Sequence, residues 1–424
     1  MDIKDIFIKN LGISRFTGPS LREAIASAYG QLPDKEKKRI NLEIARYAIK
    51  AAKDAGELKK HRDTVHPGSL PGTNVLAINH AGPLDVTIEW ETSPDGILGL
   101  SACHIHSGGD QINVSRVFSD FGENIALVAL SGKQGAEIAD VWEKGFLSGG
   151  AITELIRAAE DQQVAVINMV DGSPLPVMFE WAEKLSAGTV QEIERKTLAM
   201  LEGMFGGGAD TVWMVLSAGG PIKYSKDLAY YASLVKRVKE RYHARVEFLI
   251  DFKHVSGPEE ALSVLEIPRE RPQDIIKPNV EEFIQILVSG GIAEPGALSE
   301  NTITEEDVRA YALKLREKYN LLGVLVSMGK DGLMLAMKDR IIRGKGIRIK
   351  PLCHTAAGDS LKAGFLYALS RGKSFEEAVH TGNLFGAGTA SLPGTQTVTP
   401  RKLKEIEDLA REQSIAPVVE YIKD

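Results

Sequence analysis

Two hydrophobic rhythms run along this chain, and the change between them falls near residue 72. Before it, Ile40, Ile44, Ala48, Ala51 and Ala52 recur at three- and four-residue spacing with Lys and Arg opposite. That spacing predicts an amphipathic helix from Asp34 to about Ala55, stopped at Gly56. An earlier helix is predicted after the turn signal Gly18-Pro19, with Ser20-Leu21-Arg22-Glu23 as a capping box and Gly30 as its stop. Pro67, Gly68, Pro71 and Gly72 mark a linker. The chain therefore divides into a helical N-terminal extension with its linker, residues 1–72, and a main domain, residues 73–424. The extension reads as a docked appendage covering part of the main body, with a partner-binding role as the alternative.

After the linker the pattern shortens. Asn74–Asn79, apolar from Val75 to Ile78, reads as a short buried strand, and Val86–Trp90 alternates, as a half-exposed strand does. Leu98–Ile105 reads as another strand, and Gly108-Gly109-Asp110-Gln111 opens a helix through Phe118. Further strands are predicted at Ile125–Leu130, Val164–Met169, Thr211–Leu216, Val246–Ile250, Ile275–Ile276, Gly323–Ser327 and Leu333–Met337, mostly with helices between them. Such alternation implies an α/β fold with a mostly parallel central sheet covered on both faces. Gly206-Gly207-Gly208 is a turn without the Lys-Ser/Thr of a phosphate-binding P-loop.

Composition narrows the class. The chain has 424 residues, 43% hydrophobic and 25% charged, with net charge −6 and two cysteines. The absence of a basic excess argues against nucleic acid or an anionic membrane as partner. Two cysteines far apart in sequence, Cys103 and Cys353, argue against a disulfide framework and lead us to expect a cytoplasmic protein. No apolar run approaches the roughly 18 residues of a membrane span, and the N-terminus has no apolar signal core.

Chemistry concentrates at Leu352–Ser360, where a helix begins. Ala356, Ala357 and Gly358 carry almost no side chain, so their amides can meet an anion, and the helix dipole favours a phosphate there. Asp359 would repel that phosphate. Proton removal from an attacking hydroxyl explains its presence; an ordinary helix cap is the alternative. Lys277-Pro278-Asn279-Val280-Glu281-Glu282 puts Asn279 and Glu282 on one face of a helix start, where an amide and a carboxylate can hold hydrated Mg²⁺. A plain helix terminus with Glu in its first turn is the alternative there. Val324–Gly332 is a buried strand ending in Ser327, Gly329 and Gly332, glycines that permit close backbone approach or a hairpin turn.

Together these stretches resemble the ribokinase-like PfkB carbohydrate kinases. Gly358-Asp359 and the helix after it match the end of that family's D/N-T-x-G-A-G-D signature, although Ala356 replaces its first Gly and Cys353 its opening acid or amide. Lys277–Glu282 matches K-P-N-x-x-E, Ser327–Gly332 matches S-x-G-x-x-G, and Asp85 with Gly108-Gly109-x-x-x-Asn113 is similar to the early N-P-x-x-D and G-G-x-x-x-N elements. Ile112–Val117 looks most like the branch of 1-phosphofructokinase and tagatose-6-phosphate kinase. The resemblance covers about residues 73–405.

It implies a ribokinase-like three-layer fold with a small β lid built from about residues 86–107 and 163–180. It implies ATP and Mg²⁺ as cofactors, Asp359 as base, and the amides of Ala356, Ala357 and Gly358 as charge stabilisers. Asp85, Gly108, Gly109, Asp110 and Asn113 would hold a carbohydrate acceptor. Lys277, Ser327, Gly329, Gly332 and Asn383 would meet the nucleotide, and Asn279 with Glu282 the metal.

One departure bears on the acceptor. The branch reads G-G-K-G where this chain has Gly108-Gly109-Asp110-Gln111, and Lys and Arg are missing from Ile97–Ile105 and from the strand around Ala165–Asn168. An acid where a phosphate should sit repels it, whereas Asp110, His104 and His106 suit hydroxyl groups. We therefore expect a sugar-like acceptor without a phosphate. A sugar-phosphate kinase drawing on Lys133 or Lys223, and a non-catalytic sugar or nucleotide sensor, are the rival readings. Exposed lid edges leave a homodimer through the lid open.

Overall fold

A computed structural model describes residues 2–54, 70, 72–79, 84–132, 137–147, 151–157, 164–179, 185–219, 228–253, 265–267, 269 and 271–422. The helices α1 (Ile3–Leu11), α2 (Gly18–Glu23) and α3 (Asp34–Asp54) come first, with a π-helical turn over Ala24–Tyr29 prolonging α2. β1 (Val75–Asn79) opens a large sheet, and the chain leaves at once for β2 (Leu84–Thr92) and β3 (Leu98–Ser107) of a smaller one. α4 (Asp110–Asp120), β4 (Ala126–Ser131), α5 (Glu137–Leu147) and β5 (Ile152–Arg157) return to the large sheet; β6 (Val164–Val170), β7 (Ser173–Pro174) and β8 (Met178–Phe179) complete the small one. Then follow α6 (Ala187–Gly206), β9 (Val212–Gly219), α7 (Leu228–Tyr242), β10 (Val246–Lys253), β11 (Gln273–Lys277), α8 (Val280–Ser289), α9 (Glu305–Lys318), β12 (Leu321–Ser327), β13 (Gly332–Ala336) and β14 (Arg340–Lys345). α10 (Ala357–Ser370), α11 (Phe375–Ala390), α12 (Pro400–Glu412) and β15 (Pro417–Tyr421) finish the chain.

The large sheet has the order β15-β14-β13-β12-β11-β10-β9-β1-β4-β5. It is parallel from β5 to β12 and antiparallel from β13 onward. Neighbouring residues of one strand enter opposite cores. Val75 and Ala77 join the layer of α4, α10 and α11, whereas Leu76 and Ile78 join that of α6 to α9. A sheet buried on both faces needs apolar residues at every position, which is why these strands read as unbroken runs. This is the expected ribokinase-like α/β architecture.

The small sheet is the lid, and its strands do alternate. Leu84, Val86, Ile88 and Trp90 point one way, into the same core as Ile3, Phe7, Ile40 and Ile44 of the N-terminal helices. Phe7 and Phe16 pack edge-on and tilted against Trp90, with centroids 5.9 and 4.9 Å away. Buried Asn41 of α3 donates to the carbonyls of Val164 (3.2 Å) and Met178 (3.4 Å), and accepts from Tyr29 Oη at 3.1 Å. The extension thus covers the lid face turned away from the site.

Some local expectations need correcting. Thr17, not Ser20, caps α2: its hydroxyl accepts from Ser20 N, and Pro19 lies inside the first turn. Gly30 is no stop, because it keeps right-handed helical geometry and the helix continues past it. Strands β5, β14 and β15 were not expected. Pro67, Gly68 and Pro71 of the linker, and residues 55, 56, 163 and 180, lie outside the described residues.

The division at residue 72 remains a proposal, and deletion tests it. Removing residues 2–54 strips the cover from Trp90, Val86, Ile88 and Val166, a contiguous apolar face. We expect the main sheet to stay folded, with the melting temperature lowered by more than roughly 5 °C and an apolar dye newly bound. An unchanged melting curve would show that the extension contributes nothing to the lid; complete unfolding would make it part of the core.

Candidate functional site

Three side chains stand in one row at the carboxyl ends of parallel strands. Ser217 of β9 is in register with Asp251 of β10, and Asp251 with Lys277 of β11. Ligands of open parallel sheets bind at such strand ends, and α4 and α10 both start beside this row. Lys277 Nζ lies 3.0 Å from Asp251 Oδ1. Lys362 Nζ, fully buried on α10, lies 2.6 Å from Asp251 Oδ2 and 3.1 Å from Asp359 Oδ1. Asn113 Nδ2 donates to Asp359 Oδ2 at 2.9 Å. Ser217 Oγ donates to Asp110 Oδ2 and accepts from Gln111 Nε2, each at 2.9 Å. Carboxylate oxygens of Asp110, Asp251 and Asp359 all fall within 4.8 Å of one another. Two lysines already contact this cluster, so it is compensated by ammonium groups rather than built as a cation cage.

The turn before Asp359 departs partly from expectation. Ala357 N donates to His354 O at 3.2 Å, so its amide is spent on the turn and does not face an anion. Ala356 holds φ +64, the left-handed region where an L-residue is strained and glycine is not. Gly358 sits against Lys277: a Cβ there would come 3.4 Å from Nζ. The amides of Ala356 and Gly358 remain the candidate anion donors of this turn, with the Lys277 ammonium beside Gly358.

On the lid side, Asp85 is opposite His106 and Thr87 opposite His104 in the β2–β3 register, all on the face turned to Asp359. Apolar residues of β6 on that face, Ala165, Ile167 and Met169, pack on Cys353. Burial pushes Asp85 up to about 7, against the pull of Arg116 and the Thr395 hydroxyl, and Asp359 and Asp110 add repulsion. Burial, with Arg116 and His104 nearby, brings His106 down to about 4, leaving it a neutral imidazole at physiological pH. Gly108 is required by contact: a Cβ there would sit 2.2 Å from Asp85 Oδ1. Gly109, at φ +118, caps α4 in a conformation that side chains disfavour. Thr87 Oγ1, Asn79 Nδ2 and Gln111 Oε1 are buried without a hydrogen-bond partner among the described residues. Orphaned polar atoms in a buried site are costly unless a ligand or water satisfies them.

Asp85 gives a pH test. An ionised Asp85 accepts charge-assisted bonds from hydroxyls, whereas a protonated one keeps only a weaker neutral acceptor. The half-saturation for acceptor should therefore rise as pH falls below about 7, by up to roughly tenfold per unit. Asp85→Asn should flatten that profile; an unchanged profile in the variant would assign the titration elsewhere.

Asn279 and Glu282 form a reciprocal cap on α8. Asn279 Oδ1 accepts from Glu282 N, and Glu282 Oε2 from Asn279 N, both at 2.8 Å. This is the structural alternative seen in the sequence, and it coexists with ligand binding because each oxygen keeps a second lone pair. Asn279, Ser327 and Gly329 line a cleft of about 570 Å³ with Glu281, Lys330 and Arg343. Gly332, at φ +95, tolerates no Cβ, which would lie 2.0 Å from Gly344 O. Asn383 is on α11, donating to Lys345 O at 2.7 Å, and is not part of that cleft.

Sequence reading missed Asp251, Lys362, Gln111 and Ser217. The apolar signal of β10 stops at Ile250, one residue short of Asp251. Lys362 is one helical turn from Asp359, a spacing that marks a pair, but its apolar neighbours Leu361, Ala363 and Phe365 obscure it. Arg116 was noticed within a motif and not as a buried neighbour of Asp85. Lys133 and Lys223 lie outside the described residues.

Residues 233–402, which contain Asp251, Lys277, Ser327 and Asp359, match the pfkB family carbohydrate kinase profile. Over that stretch, less than half of its length, the chain is similar to the PfkB family of carbohydrate kinases. The chain is 25% identical over 350 residues to a 1-phosphofructokinase of Rhodobacter capsulatus, covering 81% of the chain and 98% of that protein. A match to the bifunctional protein HldE of Nitratiruptor sp. is 30% identical but spans 36% of the chain and only 30% of that protein's length. Among solved structures, phosphofructokinase-2 of Escherichia coli superposes with a TM-score of 0.64 at 18% identity, over 79% of the chain and 98% of that structure. At that identity the likeness speaks for the PfkB fold alone. No described helix is long and apolar enough to cross a membrane.

Proposed function

We propose that this chain is a PfkB kinase that moves the γ-phosphoryl group of ATP to a hydroxyl of a sugar-like acceptor that carries no phosphate. The observation that carries the reading is the buried carboxylate of Asp359, held by Asn113 and Lys362 at the start of a helix whose turn offers amides to an anion. A carboxylate so placed takes the proton of the attacking hydroxyl while Lys277 and the amides of Ala356 and Gly358 meet the transferring phosphoryl group. Asn279 and Glu282 would hold the water shell of Mg²⁺, which when bound shields charge on the nucleotide phosphates. Ser327, Gly329 and Gly332, with Asn383 farther along, would contact the nucleotide.

The acceptor's class follows from the charges around Asp359. Among the described residues the cations there, Arg116, Lys277 and Lys362, are engaged: Arg116 with Ser107 O and Asn113, the lysines with Asp251 and Asp359. Asp85, Asp110, Asp251 and Asp359 outnumber them. Neutral His106, Thr87, Asn79 and Gln111 instead offer what hydroxyls need, donors and acceptors without net charge. A second reading, a sugar-phosphate kinase, is favoured by relatives named 1-phosphofructokinase and tagatose-6-phosphate kinase. ADP release measured with sugars, polyols and their monophosphates separates the two, with Asp110→Lys as a further arm. That variant should weaken a neutral acceptor. A wild type that turns over monophosphates alone would transfer the assignment to the second reading.

A further inference from the structure

Lysine is rarely buried without a function for its charge, because leaving water is expensive for an ammonium group. Lys362 has 0% exposure, on the α10 turn that follows Asp359. Its Nζ bridges two carboxylates from different elements, Asp251 of β10 at 2.6 Å and Asp359 of α10 at 3.1 Å. The other oxygen of Asp251 is held by Lys277 at 3.0 Å, and the other oxygen of Asp359 by Asn113 at 2.9 Å. The result is one continuous chain: Lys277, Asp251, Lys362, Asp359, Asn113. It runs from the cation beside the Gly358 turn to the carboxylate that faces the acceptor.

We infer that Lys362 is a positioning residue for phosphoryl transfer, acting through Asp359. The inference rests on the reading of Asp359 as the base. Both oxygens of Asp359 are gripped, one from α4 and one from its own helix, so the side chain has one orientation. Asp251 couples that orientation to Lys277, which fixes the distance between the phosphoryl-facing ammonium and the proton acceptor. Reactions of this kind lose rate steeply when reacting groups are misplaced by about 1 Å. A purely structural account of Lys362 would need only one carboxylate partner. Here the second partner is the site's own carboxylate, and Asp110, within 4.8 Å of both, adds the repulsion that Lys362 offsets.

The test is a double-mutant cycle between Lys362→Met and Asp359→Asn, with turnover measured at saturating nucleotide and acceptor. In the wild-type background Lys362→Met should lower kcat at least tenfold and leave the half-saturation for nucleotide within about twofold, since its partners are Asp251 and Asp359 and not the residues of the nucleotide cleft. In the Asp359→Asn background the same substitution should cost less than about threefold, because the group it positions is already gone. Equal losses in both backgrounds would show damage unrelated to Asp359 and overturn the proposal, as would an unaltered kcat. Near-normal turnover of Asp359→Asn alone is a different result: it removes the base assignment itself. If Lys362→Met does not fold, the pair Lys362→Met with Asp251→Asn removes one buried charge of each sign and goes through the same cycle. Failure of that pair to fold as well would assign Lys362 to stability and end the proposal.

Discussion

Asp359→Asn should reduce turnover by roughly two to four orders of magnitude, the usual scale for a lost general base, while nucleotide affinity stays close to that of the wild type. The substitution conserves size, and the side chain is buried, so the pocket keeps its shape. What disappears is the capacity to take a proton from the acceptor hydroxyl. The amide also presents Lys362 with no negative charge at the oxygen it contacts. The nucleotide contacts proposed above come from the Ser327–Gly332 turn and the helix-start amides, which the change does not touch. Equilibrium nucleotide titration alongside steady-state turnover checks both halves. Near-normal turnover would remove Asp359 from the chemistry, and lost nucleotide binding would make its role structural.

Gly108→Ala should be nearly as damaging for a different reason. The new methyl would sit 2.2 Å from Asp85 Oδ1, 2.3 Å from its Cγ and 2.4 Å from Oδ2, far inside contact distance. One side has to move, and the carboxylate end of Asp85 is freer than the backbone that starts α4. Displacing Asp85 forfeits its hydrogen bonds to the acceptor, and charged hydrogen bonds contribute about 1.5–3 kcal/mol each. With two such bonds at stake, kcat/KM for the acceptor should fall by roughly a hundredfold or more. The half-saturation for nucleotide should hardly change, because that side of the cleft is built from other elements. An alanine variant with normal kcat/KM would mean that Asp85 does not bind acceptor. Equal losses on both substrates would mean that the helix start has been distorted as a whole.

The architecture was legible where the physics is local. Strands buried on two faces show as unbroken apolar runs, so β1, β4, β9, β10 and β12 were read to within a few residues, whereas β14, with Arg340 and Arg343 on a short strand late in the sheet, carries no such signal. β15, largely exposed, could be found only by its pairing with β14. Motif spacing located Asp359, Asp85 and the glycines because close approach and helix starts leave marks in neighbouring residues. The charge chain left none. Asp251 and Lys362 are 111 positions apart, and only the register of β10 with β11 and the approach of α10 bring their partners together. The amide of Ala357 was misjudged for the same reason: its partner, His354 O, depends on how the turn closes.

The most direct test of the account is a paired assay with wild-type enzyme, ATP and magnesium. Each sugar or polyol is compared with its own monophosphate at equal concentration, ADP release is followed, and the new phosphoester is observed by phosphorus NMR. Neutral His106, the orphaned Thr87, Asn79 and Gln111 atoms, and the carboxylate excess around Asp359 predict that unphosphorylated acceptors win. The margin in kcat/KM should be at least about tenfold, equivalent to ~1.4 kcal/mol. A strong preference for a monophosphate would contradict the account and favour the sugar-phosphate kinase reading.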